Sequence, residues 1–251
     1  MLISIGILAW NEEGVIARTL DSLFEQDVFS DPEILPDASW EVVVVPNGCA
    51  DQTARAATQA LSDLLPKIAE GGRVAASVKE LPVAGKSNAW NHYVHEFSSR
   101  DAELLILVDA DIEFAGSATV ANTVKALLDD PAAVVAVDLP LKDAVKKTKR
   151  SFLESVSIAA SKAEVTGNPV IAGSFYCARA EVMREIWLPP NLAVEDGFLT
   201  AMILTDCFRA NGNSARIIRA PDAAHYFETL TSLRAIFQHE VRLVVGTALN
   251  C

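Results

Sequence analysis

Asp109 and Asp111 close an uninterrupted apolar run in "LILVDADIEF", residues 105 to 114. At the end of a strand, residues i and i+2 point to the same side, so the two carboxylates can converge. Close carboxylates repel, and a divalent cation with oxygen ligands, Mg²⁺ or Mn²⁺, relieves the repulsion while keeping positions open for a diphosphate. The plainer role is a strand-end Asp that caps the next turn. Lys86 in "VAGKSNAWN" follows a glycine near an expected helix N-terminus, where an ammonium and free N–H groups suit a phosphate. Its spacing is not that of a P-loop, and a solvated surface lysine is the alternative. In "PNGCADQT", Asn47 and Asp51 follow another strand pattern; Asp51 reads as a helix cap, which is compatible with ligand contact. Glu195 and Asp196 in "AVEDGFLTAMI" either favour a helix start or supply a base that deprotonates a hydroxyl. His225 in "DAAHYFET" is a candidate third metal ligand as neutral imidazole, or a packed histidine.

These residues need a frame that brings chain ends together. Strand patterns are expected at Leu2 to Leu8, Glu41 to Val45, Val74 to Leu81, Leu104 to Val108 and Val134 to Asp138. Between them, Val15, Ile16, Leu20, Leu23 and Phe24 share one helical face, as do Ala54, Ala57, Leu61 and Leu64. Strict alternation implies βαβ crossovers, an α/β class and a mostly parallel sheet, with the ligand site beyond the carboxyl ends of the strands. The segments "AWNEE" (9–13), "PNGCADQT" (46–53), "VAGKSNAWN" (83–91) and "DADIEF" (109–114) all fall on that rim. The second half is less regular. It holds a basic stretch at 141–150, an amphipathic segment from Phe152 to Lys162 and a strand-like run at 170–180. A helix is expected after 187, a strand at 214–220 and a last helix from Ser232 to Val245. Without repeats or a low-complexity linker, 1–251 reads as one domain, with a nucleotide-binding half to about 115 and an acceptor half beyond it.

With 251 residues, 51% of them apolar, the chain can bury a sizeable core. A net charge of −12 argues against a nucleic-acid backbone as partner. Four scattered cysteines without a CxxC pair disfavour a zinc site or a disulfide framework and suggest a reducing compartment. No apolar stretch reaches the roughly 18 residues of a membrane span, and no basic leader precedes the first strand. A cytoplasmic protein is expected, with peripheral membrane contact open through the basic stretch. The closing "GTALNC" carries no stop signal, so the natural chain is free to continue past Cys251.

The order of "ISIGILAWNEEGVIARTLDSL", "VVVVPNGCADQT", "GKSNAWN", "LILVDADIEF", "GSFYCARAEVM" and "VEDGFLTAMI" resembles family 2 glycosyltransferases of the GT-A fold over most of the chain. The resemblance implies a Rossmann-like, mostly parallel sheet flanked by helices, with a nucleotide-diphosphate sugar on the first half. Trp10, Glu12 and Asn47 would border the nucleobase and ribose, with Asp51, Lys86, Asp109 and Ala110 completing the donor-binding set. Asp111 would ligate Mn or Mg, and Asp196 would be the general base of an inverting hexosyl transfer. The acceptor would be a hydroxyl on a small molecule, a lipid-linked sugar or a glycan. Asn47 departs from the family, many of whose members have Asp there. "FQHEVRLVVG" only loosely echoes the Q-x-x-R-W motif of processive members, with Leu243 in place of Trp. A sugar-nucleotide nucleotidyltransferase would carry an N-terminal glycine-rich loop before a basic residue, where "GILAWNEEG" has acids. A non-catalytic sugar-nucleotide-binding protein would have lost the carboxylates that this chain retains.

Overall fold

A strand whose neighbours cover both its faces and edges must be apolar throughout, and the first strand shows this. β1 (Leu2–Ala9) is buried at every position but the first and pairs in parallel with β2 (Ser39–Pro46) on one side and β4 (Ala102–Asp109) on the other. A computed structural model describes residues 1–68, 73–143, 168–190, 192, 194–228 and 241. In it β3 (Val74–Val78), β5 (Glu113–Phe114), β6 (Val135–Lys142), β7 (Phe175–Arg179) and β8 (Ile217–Phe227) complete one eight-stranded sheet of order β3-β2-β1-β4-β7-β6-β8-β5. The four strands from β3 to β4 run parallel, as the alternating pattern requires. β7 then enters antiparallel between β4 and β6, and β8 runs parallel to β6 and antiparallel to β5.

Side chains alternate across the sheet and build a core on each face. On one face Ile3, Ile5 and Ile7 meet Ile16, Leu20 and Leu23 of α1 (Ile16–Phe24), Ala57 and Leu61 of α3 (Thr53–Leu64) and Val124 of α5 (Thr119–Asp129). The short α2 (Asp27–Ser30) adds Phe29 to that side. On the other face Leu8, Val43 and Leu105 meet Trp90 of α4 (Lys86–His92), Tyr93 of the π-helical turn after it, Met183 of α6 (Ala180–Met183) and Leu199 of α7 (Glu195–Leu204). Gly6 lets this second layer sit directly on β1, since a Cβ there would overlap the Tyr93 ring.

Several boundaries differ from the sequence reading for physical reasons. The run expected as a strand from 170 begins pairing only at Phe175, because Gly173 takes a left-handed φ of 71° and turns the chain. β8 runs on past Pro221 to Phe227, absorbing the proline and the left-handed Asp222 in a register shift against β6. The segment from Phe152 to Lys162 and most of the expected last helix lie outside the described residues, as do positions 144–150 of the basic stretch. Among the described residues no helix is long and apolar enough to cross a membrane.

Candidate active site

The carboxyl ends of β1, β2 and β4 form one rim, and its loops are laced by side-chain-to-backbone bonds. Asn47 is buried; its Nδ2 donates to the Ala9 carbonyl at 2.7 Å and its Oδ1 accepts from the Gly85 N–H at 3.0 Å. It thereby fixes the loop that precedes α4. Asp51, expected as the N-cap, stands one residue before the actual N-cap Gln52; it accepts from the N–H of Thr53 at 3.0 Å and of Glu13 at 3.1 Å, so it ties the β1 loop to the start of α3. Glu12 donates its N–H to Thr53 Oγ1 at 2.8 Å. Trp10, at the tip of β1, is 58% exposed. Ala110 is buried, and its carbonyl accepts from Thr19 Oγ1 at 2.7 Å, which pins the turn between Asp109 and Asp111 to α1.

Lys86, the first residue of α4, is the hub. Its Nζ lies 2.9 Å from Asp109 Oδ1, 3.0 Å from Asp109 Oδ2, 2.9 Å from Glu195 Oε1 and 3.4 Å from the Gly173 carbonyl. Burial opposes its charge, but the carboxylates of Asp109, Glu195 and Asp196 hold it above the usual ammonium range. The end of β4 is thus joined to the start of α7 by one ammonium. Burial, with the charges of Asp111 and Asp109 adding to it, pushes Glu12 up to about 7. Glu12 and the two aspartates therefore share one negative field.

Asp196 lies beyond Glu195 and packs on Gly173, where a Cβ would overlap its carboxylate. Its Oδ1 is buried and has no hydrogen-bond partner among the described residues. Burial, and then the charge of Glu195 beside it, raise Asp196 to about 7, whereas Lys86 helps hold Glu195 in the ionised form. The approach of α7 is set by Asn91, which donates to the Leu188 carbonyl and accepts from the Leu188 N–H, both at 2.9 Å.

His225 is fully buried on β8. Its Nδ1 lies 2.8 Å and 2.9 Å from the two oxygens of Asp138, and its Nε2 lies 2.8 Å from Ser174 Oγ. Among the described residues no group of three His, Cys, Asp or Glu side chains converges to hold a metal, so Asp109, Asp111 and His225 are not gathered into a three-ligand site. A cavity of about 220 Å³ lined by Phe29, Trp40, Arg73 and Val74 lies at the amino ends of the strands, away from these groups. The sequence reading missed Gly173, Ser174, Trp90 and Tyr176. Ser174 accepts the Asp109 N–H through its carbonyl at 2.8 Å, and only the Gly-Ser pair ahead of a strand hinted at such a turn.

The sheet is that of GT-A glycosyltransferases, whose solved structures share the fold. A mannosyltransferase from Pyrobaculum calidifontis, solved with GDP-Man and Mn²⁺, is 22% identical, with a TM-score of 0.64 over 96% of this chain and 60% of its own. Glucosyl-3-phosphoglycerate synthase from Mycobacterium tuberculosis, solved with Mg²⁺ and UDP, is 17% identical, with a TM-score of 0.60 over 99% of this chain and 79% of its own. S. aureus TarS (1–349) is 19% identical at a TM-score of 0.59, over 91% of this chain and 60% of its own. The chain thus spans 60% of the mannosyltransferase and of TarS. No curated protein sequence matches it closely enough to count as a relative. The sequence profile of glycosyl transferase family 2 matches residues 4–187, and the chain belongs to that family.

Proposed function

We propose that the protein is a metal-dependent, inverting glycosyltransferase of hexosyl type, with its donor on the β1–β4 half and its acceptor on the half that carries β6 to β8 and α7. The observation that carries this reading is Asp196. It is a carboxylate raised to about 7, with one buried oxygen unpaired among the described residues, and it is joined through Glu195 and Lys86 to the strand end that bears Asp109. A base poised near neutrality is what deprotonating an alcohol requires. In the transfer Asp196 takes the acceptor proton, the acceptor oxygen bonds to the anomeric carbon, and the bond from that carbon to the diphosphate breaks. Lys86 is placed to meet charge on the departing diphosphate, and Trp10 offers an open ring to the nucleobase.

By donor type Asp111 fits a hard divalent cation, whereas both ring nitrogens of His225 are engaged, Nδ1 by Asp138 and Nε2 by Ser174 Oγ at 2.8 Å. Asp111, on the turn that follows β4, is therefore the residue that would hold the cation. Mg²⁺ or Mn²⁺ bound there would supply further positive charge for the leaving group. The solved structures with GDP-Man and Mn²⁺ or with UDP and Mg²⁺ support this class of donor. The acceptor is a hydroxyl on a small molecule, a lipid-linked sugar or a glycan.

The test is thermal stability with UDP, GDP, CDP and dTDP, each with and without Mn²⁺, for the wild type and Asp111→Asn. A ligand at about 100 times its Kd adds roughly 2.7 kcal/mol. A metal-dependent rise with one diphosphate, lost in Asp111→Asn, is expected. No rise with any of the four overturns the donor assignment.

A further inference from the structure

The proposed reaction leaves one buried polar group beside the base without a task. Tyr176, on β7, is 2% exposed, and its hydroxyl oxygen accepts a hydrogen bond from Trp90 Nε1 at 2.7 Å. An indole N–H only donates, so the phenol still has its own proton to give. Burial, opposed by the Trp90 bond and reinforced by the charge of Asp196, keeps Tyr176 above the ordinary phenol range. It is therefore a neutral donor at any working pH. Asp196, whose buried Oδ1 has no hydrogen-bond partner among the described residues, lines the same cavity. Tyr176, Trp90, Asp196, Lys86, Gly173 and Glu195 line one cavity of about 10 Å³. That is close to the room one water needs, and the walls supply the two or more polar partners that hold it.

We propose that Tyr176 is a positioning residue for Asp196: aligned by Trp90, its hydroxyl donates through a single water in this cavity to Oδ1 and fixes the carboxylate for the acceptor proton. The inference rests on Asp196 as the base. The groups that bear on Asp196 are Glu195 on its own helix, Lys86 from α4, Asp109 from β4 and Tyr176 from β7. Of these, only Tyr176 is neutral. A donor to the ionised form lowers the pH at which the base becomes active, and its loss raises that pH.

The experiment is the pH profile of kcat and KM for Tyr176→Phe and Trp90→Phe, with Asp196→Asn as the control. Tyr176→Phe is expected to lower kcat about tenfold at pH 7, to recover most of it by pH 9, and to leave the donor KM unchanged. Trp90→Phe keeps the phenol and removes only its aligning N–H, so it should move the acid limb in the same direction by less. Should Tyr176→Phe fail to fold, Trp90→Phe is read in its place. A purely structural role would lower activity evenly across pH. An acid limb that stays at the wild-type position in the folded variant overturns the proposal. An active Asp196→Asn overturns the base instead, so the two failures are distinguishable.

Discussion

Replacing Asp196 with Asn should abolish transfer and at the same time stabilise the fold, by an amount that depends on pH. The carboxyl is raised from 3.8 to about 7, so the folded state binds its proton more tightly than the unfolded state does. A raised acid lends stability that is complete below the unfolded value, declines as pH rises from about 4 to 7, and is gone above the folded value. About 3 pH units at 1.36 kcal/mol each set an upper bound of ~4 kcal/mol for the cost of ionising Asp196 in place. Because Asp196 shares its surroundings with ionised Glu195, a gain of roughly 2 to 4 kcal/mol for Asp196→Asn above pH 7.5 is the working figure. For a domain of this size that corresponds to about 5 to 10 °C in Tm. Melting curves of both proteins at pH 5 and pH 8 measure it. The difference should be large at pH 8 and small at pH 5, and kcat of the wild type should rise with pH through about 7. An equal shift at both pH values, or a less stable Asp196→Asn at pH 8, would refute the assignment of a strained, buried carboxylate.

Two further substitutions probe the rim. Gly173→Ala forces a Cβ into Asp196 at a left-handed φ of 71°; kcat/KM should drop roughly 100-fold, with a loss of about 1–2 kcal/mol in stability, and a fully active variant would show that Asp196 does not rest there. Trp10→Ala removes an exposed ring, so stability should change by less than about 0.5 kcal/mol, while loss of a base stack worth about 1–3 kcal/mol should raise the donor KM roughly 5- to 150-fold; an unchanged KM would remove Trp10 from the donor site.

The first half was legible because β1, β2 and β4 are buried on both faces and so read as apolar runs, while α1 and α3 keep one apolar stripe each. The direction of β7 was not legible. "SFYCAR" has the same composition whichever way it runs, and only its pairing with β4 and β6 sets it antiparallel. α7 is apolar on nearly every side after Asp196, so its place could be read from the acids at its start but not from a stripe. Residue types at the rim announced carboxylates and a lysine, yet no spacing reveals that Lys86 reaches Asp109 and Glu195 at once. Trp90 and Tyr176 resembled ordinary core aromatics, since a hydrogen bond between residues 86 positions apart leaves no local trace.

Asn47 bears on how this chain tolerates its acidic rim. The amide both gives and accepts, to the Ala9 carbonyl and from the Gly85 N–H. An aspartate could keep the second bond but would face a carbonyl oxygen with another oxygen in place of the first. The end of β2 is therefore neutral by necessity of its own neighbours. The loop that leads into Lys86 thus stays braced whatever the pH, by an amide that neither gains nor loses a proton.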